Sequence, residues 1–192
     1  MVRLLISQLR PKPCGGTLAL RHRAGRIERV GSMWRVETTT GDTVEAPVLV
    51  NASGAWGDEV AALAGVAPLG LQPKRRTACI VDPSPFDVAD WPMICDVQEN
   101  WYARPEARTR LMVSPADEIR DRPHDVRPEE IDIALGIDRM QQALNIEVRR
   151  IEHSWAGLRT FSPDGSLCFG WDAAAEGFFW SVGQGGYGIQ TS

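Results

Sequence analysis

Two apolar runs, each ending in a turn of small residues, flank a stretch with hairpin and helix signals of its own, and together these place the sequence in the mixed α/β class. The first run, Val48-Leu49-Val50, ends in Asn51-Ala52-Ser53-Gly54. The second, Phe178 to Val182, leads into Gly183, Gly185, Gly186 and Gly188. Strand and helix signals are mixed without strict alternation, which argues against a regular βαβ series. The expected organisation is a sheet-based middle lobe over residues 70–154 and a layer contributed by both flanks, residues 1–69 and 155–192, that carries the two turns.

The elements follow in order. Ile27 and Val30 open a β-meander in which Trp34 and Val36 alternate with polar neighbours and Gly41-Asp42 supplies a turn. Val48 to Val50 reads as a short strand buried on both faces. Ala55 to Val66 has helical spacing: Asp58 and Glu59 lie early, Val60, Leu63 and Ala64 share a face, and Gly65 is placed to cap the end. Leu69 to Asp82 is extended and carries Lys74, Arg75 and Arg76. Asn100 to Pro115 forms a hairpin with its turn near Pro105 to Ala107. Pro128 to Glu147 holds the clearest helix, with Pro128 in its first turn and Ile131, Ala134, Leu135, Ile137 and Leu144 as its apolar side. Arg149 to Phe161 is a long strand closed by Pro163-Asp164-Gly165, and two short strands follow near Leu167 to Trp171 and Phe178 to Val182.

Bulk properties exclude several classes. A formal net charge of -4 offers nucleic acid no electrostatic footprint. Arginine supplies nearly all the positive charge, since only Lys12 and Lys74 are lysines. Cys14, Cys79, Cys95 and Cys168 lie far apart, as do His22, His124 and His153, so no metal-ligand or redox-dithiol spacing exists. No run approaches the roughly 20 apolar residues of a membrane span. The opening MVRLLISQLRPKPCGG lacks the apolar core and cleavage site of an export signal, and a cytoplasmic protein with reduced thiols is expected.

Some residues can carry chemistry. The turn after Val50 would let backbone approach a ligand closely, or it is a tight strand-helix corner that needs small residues to pack. Arg159 sits in a strand among Trp155, Ala156, Leu158 and Phe161, where a guanidinium needs an anion. That anion is a carboxylate held bidentately, or an internal Asp or Glu. Arg75 and Arg76 point to opposite faces of their strand, so one of the pair can serve a given pocket. The Tyr102 hydroxyl is a second possible donor to an anion. The sequence GQGGYG lacks the lysine of a phosphate-binding loop and suits close backbone approach to a flat ligand.

Together, VLVNASGAWGDEVAALAGVAPLGLQPKRR, EHSWAGLRTFSPDG and EGFFWSVGQGGYGIQTS resemble the D-amino-acid oxidase superfamily of flavoproteins, most closely its D-amino-acid dehydrogenases of the D-arginine dehydrogenase type. The resemblance runs from about residue 24 to residue 192. It implies a partial Rossmann-like FAD-binding layer and a mixed-sheet substrate-binding lobe. Such enzymes remove a hydride equivalent from the Cα of an amino acid, giving an imino acid that hydrolyses to a 2-oxo acid and ammonia. Arg159 is then expected to clamp the substrate carboxylate, with Tyr102 and Arg76 lining the same pocket and the carbonyl of Gly186 accepting from the amine. Ala52, Ser53, Gly54 and Trp56 are expected to border FAD. So is the loop Gly183, Gln184, Gly185, Gly186, Tyr187, Gly188, Ile189 and Gln190. Gly157 stands about where covalent members carry cysteine, so FAD would be held non-covalently. The flavin performs the redox step, and no metal or protein nucleophile is needed. The substrate partner is a small amino acid, and the electron acceptor is left open.

The family's N-terminal strand-GxGxxG-helix and its ribose-binding acid do not occur in this sequence, nor does the helix after the final glycines. The expectation is an internal fragment of a longer enzyme that binds FAD weakly alone. The alternatives are a glycine- or sarcosine-type amine oxidase of the same superfamily and a non-catalytic remnant.

Overall fold

The computed structural model describes residues 18–191. Cys14 and the opening segment read above for an export signal lie outside the described residues. In chain order the strands are β1 (Ala24–Val30), β2 (Met33–Thr38), β3 (Thr43–Ala46), β4 (Leu49–Asn51), β5 (Gln72–Val81), β6 (Ile94–Cys95), β7 (Tyr102–Glu106), β8 (Arg110–Ser114), β9 (Ile119–Arg120), β10 (Ile151–Phe161), β11 (Cys168–Trp171) and β12 (Phe178–Val182). The helices are α1 (Gly57–Leu63) and α2 (Glu130–Ala143). The chain divides into two units. One comprises the stretch ending at Pro73, Arg122–His124 and Arg159–Ser192; the other comprises Lys74–Asp121 and Asp125–Leu158.

In the first unit, β1, β2 and β3 form an antiparallel meander in which Ile27 faces Val36 and Val36 faces Val44. A second sheet runs β11-β12-β4, with β12 antiparallel to β11 and parallel to β4. Period-two alternation sends Phe178, Trp180 and Val182 to one face, all buried, where they pack with Ile27, Trp34 and Val36 of the meander and with Val60 and Ala61 of α1. Phe178 is the hub: its ring meets Trp34 and Trp180 edge-on at centroid distances of 5.8 and 5.0 Å.

The opposite face corrects one expectation. Val48 and Val50 are not buried on both sides; Val50 is 53% exposed, and Phe169 and Trp171, two strands away on the same face, are 75% and 62% exposed. These two rings lean on Phe179 at 5.0 Å each. The apolar run is sided because, among the described residues, the meander and α1 pack on one face of this sheet, and the buried residue of β4 is polar Asn51.

The second unit is built on a six-stranded sheet, β10-β5-β8-β7-β6, with β9 also pairing β5. Val81, Ala103, Leu111 and Val113 are fully buried beneath Ile133 and Met140 of α2. The hairpin turns later than its proline suggested. Pro105 pairs with Leu111 inside the ladder, and the chain reverses at Ala107 and Arg108, whose φ values are 48° and 63°.

Helix α2 packs only part of its expected apolar side: Ile137 and Leu144 lie against the core, but the helix is turned so that Ile131, Ala134 and Leu135 do not. Its buried residues are Asp132, Ile133, Gly136 and Met140, while Ile131 is 61% exposed and Ala134 and Leu135 face solvent. Pro128 precedes the N-cap residue Glu129 and so lies outside the first turn. Two contacts fix the rotation. A Cβ on Gly136 would stand 3.0 Å from the Pro115 nitrogen, so this face alone can seat against that loop. Arg75 of β5 draws Asp132 inward through a hydrogen bond of 2.7 Å from Nη2 to Oδ2.

The same guanidinium bonds Glu129 through Nη1 and faces Asp117, whose carboxylate accepts from the amide and hydroxyl of Thr77 at 2.7 and 3.0 Å. One buried cation thus serves three carboxylates, and its Nε has no hydrogen-bond partner. Burial works against its charge, but hydrogen bonds and attraction from Glu129 and Asp132 leave its pKa above the ordinary value. Burial pushes the Asp132 carboxyl above its ordinary 3.8, with Arg75 opposing.

Arg75→Met should therefore cost about 3–5 kcal/mol in urea unfolding, because it leaves the buried Asp132 carboxylate without its partner. Asp132 binds its proton more tightly folded than unfolded. Its contribution is fully present below its unfolded pKa and is lost as pH rises above 3.8 through the raised folded value. Asp132→Asn should remove that segment of the stability-pH curve, and superimposable wild-type and variant curves would refute the assignment.

Candidate functional site

The first unit contains two turns of small residues, each following a buried strand end. At the first, β4 stops at Asn51, Ala52 and Ser53 bend the chain, a 3₁₀ turn spans Gly54–Trp56, and α1 begins at Gly57. Gly54 has φ of 57° and open space around the position a Cβ would take. Ala52 is exposed, Ser53, Gly54 and Trp56 are half-buried, and Ala55 is buried. Gly57 has no room for a side chain, since a Cβ would stand 2.4 Å from Leu71 Cδ1 and 3.2 Å from Val182 Cγ1. Small residues here thus serve packing at Gly57 and leave the backbone open at Gly54.

The second turn follows β12. Gly183, Gly185 and Gly186 take φ values of 76°, 55° and 106°, a region that disfavours any side chain. The loop rests on the end of β10, with the amide of Gly185 donating to the Thr160 carbonyl at 2.9 Å. Arg159 and Phe161 are two residues apart and share a strand face. A Cβ on Gly185 would stand 2.7 Å from Phe161 Cε1, and one on Gly186 would stand 2.8 Å from Arg159 Nε. Gln184 and Gly188 are half-buried, while Tyr187, Ile189 and Gln190 are exposed. Gln184 and Gly188 join Phe169, Ser181 and Thr191 in lining a cleft of about 550 Å³.

Arg159 is half-buried, and among the described residues it makes no ion pair or hydrogen bond. The internal carboxylate that would have explained it is absent from that set. Its guanidinium lies along the glycine loop with its donors uncommitted. The carbonyl of Gly186 likewise accepts no hydrogen bond among the described residues.

Arg76 and Tyr102 belong to the second unit and meet there, with the Arg76 Cζ 6.0 Å from the tyrosine ring centroid. Arg76 is already engaged: Nε donates to the Asp117 carbonyl at 2.8 Å and Nη2 to Glu118 at 3.1 Å. Its neighbours are engaged too, Arg75 by α2 and Lys74 by Glu118 at 2.7 Å. Side-chain exposures of 25%, 8% and 13% for Lys74, Arg75 and Arg76 show that this is no solvated basic edge. The Tyr102 hydroxyl makes no hydrogen bond among the described residues.

Two contributors are not among the residues singled out from sequence. Phe161 is the floor of the glycine loop, and Asn51 ties the first turn to α1. The signal for Asn51 was a lone amide closing an apolar run. Phe161 had no signal beyond its two-residue spacing from Arg159. Among the described residues no group of His, Cys, Asp or Glu is placed to hold a metal ion, and no helix is long and apolar enough to cross a membrane. Cys79, Cys95 and Cys168 are free thiols, that of Cys79 pushed up to about 11 by burial.

The model of the family described as FAD dependent oxidoreductase (DAO) matches residues 4–192. The FAD-dependent oxidoreductase domain-containing protein 1 of Xenopus laevis is 26% identical over 78% of this chain and 33% of its own length. The crystal structure of glycine oxidase from Geobacillus kaustophilus superimposes with a TM-score of 0.76 at 22% identity, covering 90% of this chain and 45% of that one. The L-alpha-glycerophosphate oxidase of Mycoplasma pneumoniae, a structure with FAD bound, gives 0.73 at 14% identity over 88% of this chain and 46% of its own. The chain thus spans about a third of that curated relative and under half of these structures.

The glycine geometry separates residues that look alike in sequence. Gly185→Ala should destabilise the first unit by about 1–3 kcal/mol in urea unfolding, from its left-handed backbone and the clash with Phe161. Gly188→Ala, with no atom nearer than 3.8 Å, should fall within about 0.5 kcal/mol of wild type. Equal effects would contradict the loop geometry.

Proposed function

We propose that this chain, which belongs to the DAO family of FAD-dependent oxidoreductases, is the substrate-clamping part of an enzyme that oxidises the Cα–N bond of D-amino acids, in the manner of a D-arginine dehydrogenase. One observation carries the proposal: Arg159 is half-buried, is unpaired among the described residues, and lies against the glycine loop. A guanidinium so placed is stabilised by an anion from outside the chain. The planar fork of Arg159 suits a carboxylate, and the neighbouring carbonyl of Gly186 suits the ammonium or amine of the same substrate. A cation and an acceptor so paired select an α-amino acid over a plain amine or a plain acid. The D-configuration and the dehydrogenase subtype rest on the resemblance of the SWAGLR and GQGGYG motifs.

Bound FAD would supply the two-electron acceptor. The residues present fit a flat cofactor: the backbone at Gly54 has nothing within 4 Å of the position a Cβ would take, and Gly186 is exposed and offers backbone without a side chain. We assign the borders of a non-covalent FAD to Ala52, Ser53, Gly54 and Trp56 together with that loop. The work of Arg159 is orientation: holding the carboxylate fixes the direction of the Cα–H bond. Loss of that hydrogen with its electron pair, and of one proton from nitrogen, leaves an imino acid that water converts to a 2-oxo acid and ammonia. Arg76 and Tyr102 are assigned to substrate contact less directly, since Arg76 is committed to Glu118 while the Tyr102 hydroxyl is not.

The test is the flavin-loaded protein with a panel of D-amino acids, glycine and sarcosine, using a dye acceptor and oxygen in parallel. D-amino acids should be turned over, and Arg159→Ala should lower kcat/KM by about two orders of magnitude, near 3 kcal/mol. Unchanged kinetics would sink the clamp. Turnover of glycine or sarcosine alone, with oxygen, would replace this reading with an amine oxidase.

A further inference from the structure

We infer that Asn51 is a positioning residue that sets the shape of the FAD-bordering corner without touching the cofactor, an inference that rests on the assignment of that corner proposed above. Asn51 is 1% exposed and is the last residue of β4, where its backbone pairs with Trp180 of β12. Its side chain spans the bend. Nδ2 donates to the Gly57 carbonyl at 2.8 Å, and Oδ1 accepts from the Ser53 hydroxyl at 2.6 Å and from the Ser53 amide at 3.3 Å. One amide thus joins the strand end, the bend and the first residue of α1.

Apart from the backbone bond from Trp56 to Ser53 and buried Ala55, the corner has no side-chain cap of its own. Gly54 is unobstructed and in a left-handed conformation, and neither the 3₁₀ turn nor α1 has a side-chain cap at its N-terminus. Gly57 is pinned on its other side by Leu71 and Val182, so the Asn51 bond ties the bend to a packed part of the unit. The amide is required chemically. It needs a donor toward a carbonyl and an acceptor toward an amide and a hydroxyl at once, and neither carboxylate nor an apolar group offers both. A buried polar group left half-satisfied would cost more than the bonds contribute, so the corner and Asn51 stand or fall together.

Substitution by aspartate turns this requirement into a pH profile. In Asn51→Asp the protonated carboxyl still donates to Gly57 and accepts from Ser53. Once ionised it has no donor and faces the Gly57 carbonyl. The experiment is an FAD titration of the 192-residue chain followed by amide chemical shifts, which reads weak affinities, across pH about 3 to 8, a window that brackets the titration of an aspartate, for wild type, Asn51→Asp and Asn51→Ala. Asn51→Ala should bind about tenfold more weakly at every pH, with the Ser53 amide losing hydrogen-exchange protection. The ratio of Asn51→Asp to wild-type Kd should start near unity and climb as pH rises. A residue that served stability alone would shift the urea midpoint and leave these ratios flat. Variants that bind as wild type does, or an Asn51→Asp ratio that ignores pH, would overturn the inference and leave the corner's assignment standing. Wild type that shows no FAD-induced shift at residues 52–56 would overturn that assignment, and the inference with it. Should Asn51→Ala fail to fold, the Asn51→Asp profile decides alone.

Discussion

The absence of side chains on Gly185 and Gly186 lets the end of β10 and the loop after β12 occupy adjoining space. Phe161 and Arg159 fill the positions where Cβ atoms would project, at 2.7 and 2.8 Å. Left-handed backbone at both residues is the geometric condition for this overlap, and glycine meets it at least cost. The placement of Arg159 depends on that fit. The loop is held at Thr160 by a backbone bond, Phe161 is its floor, and Arg159 lies against Gly186 with no hydrogen-bond partner among the described residues.

The arginines of the chain show how burial and pairing separate structure from function. Arg75 is the most enclosed and has carboxylates on several sides, so it organises the second unit and has nothing to offer a ligand. Arg76, on the opposite face of the same strand, divides its donors between a backbone carbonyl and Glu118. Arg159 is comparably sheltered and has no such partner among the described residues. A half-buried cation without a counter-charge is costly to maintain. It is stabilised where an anion completes it, and that asymmetry is the physical basis of the proposed carboxylate clamp.

Much of this was legible in the sequence, because strand ends and glycines declare themselves locally. The meander, the strand-turn-helix around Asn51 and the strand feeding the final glycines follow from period-two alternation and from turn residues. The rotation of α2 was hidden, since its apolar side chains at Ile131 and Leu135 suggested one face while Arg75 and Pro115, distant in sequence, dictated another. The siding of Val50 was hidden likewise. An apolar run of three residues does not reveal that only one face of its sheet is packed by the meander and α1. The short strands β6 and β9, two residues each, are too brief to leave a periodic trace. At the site, Arg159 was visible as a charge among apolar neighbours, but its lack of a partner is a three-dimensional fact. The same holds for the three bonds of Asn51.

The central claim is that Arg159 awaits a carboxylate, and the most direct measurement is the Nε–H resonance of Arg159 during titration with a D-amino acid and, separately, with the corresponding amino-acid amide. The free acid should shift that resonance and slow its exchange with water, and the amide, identical but for its uncharged carboxamide, should leave it unmoved. The same response to both compounds, or none to either while neighbouring signals move, would contradict the clamp.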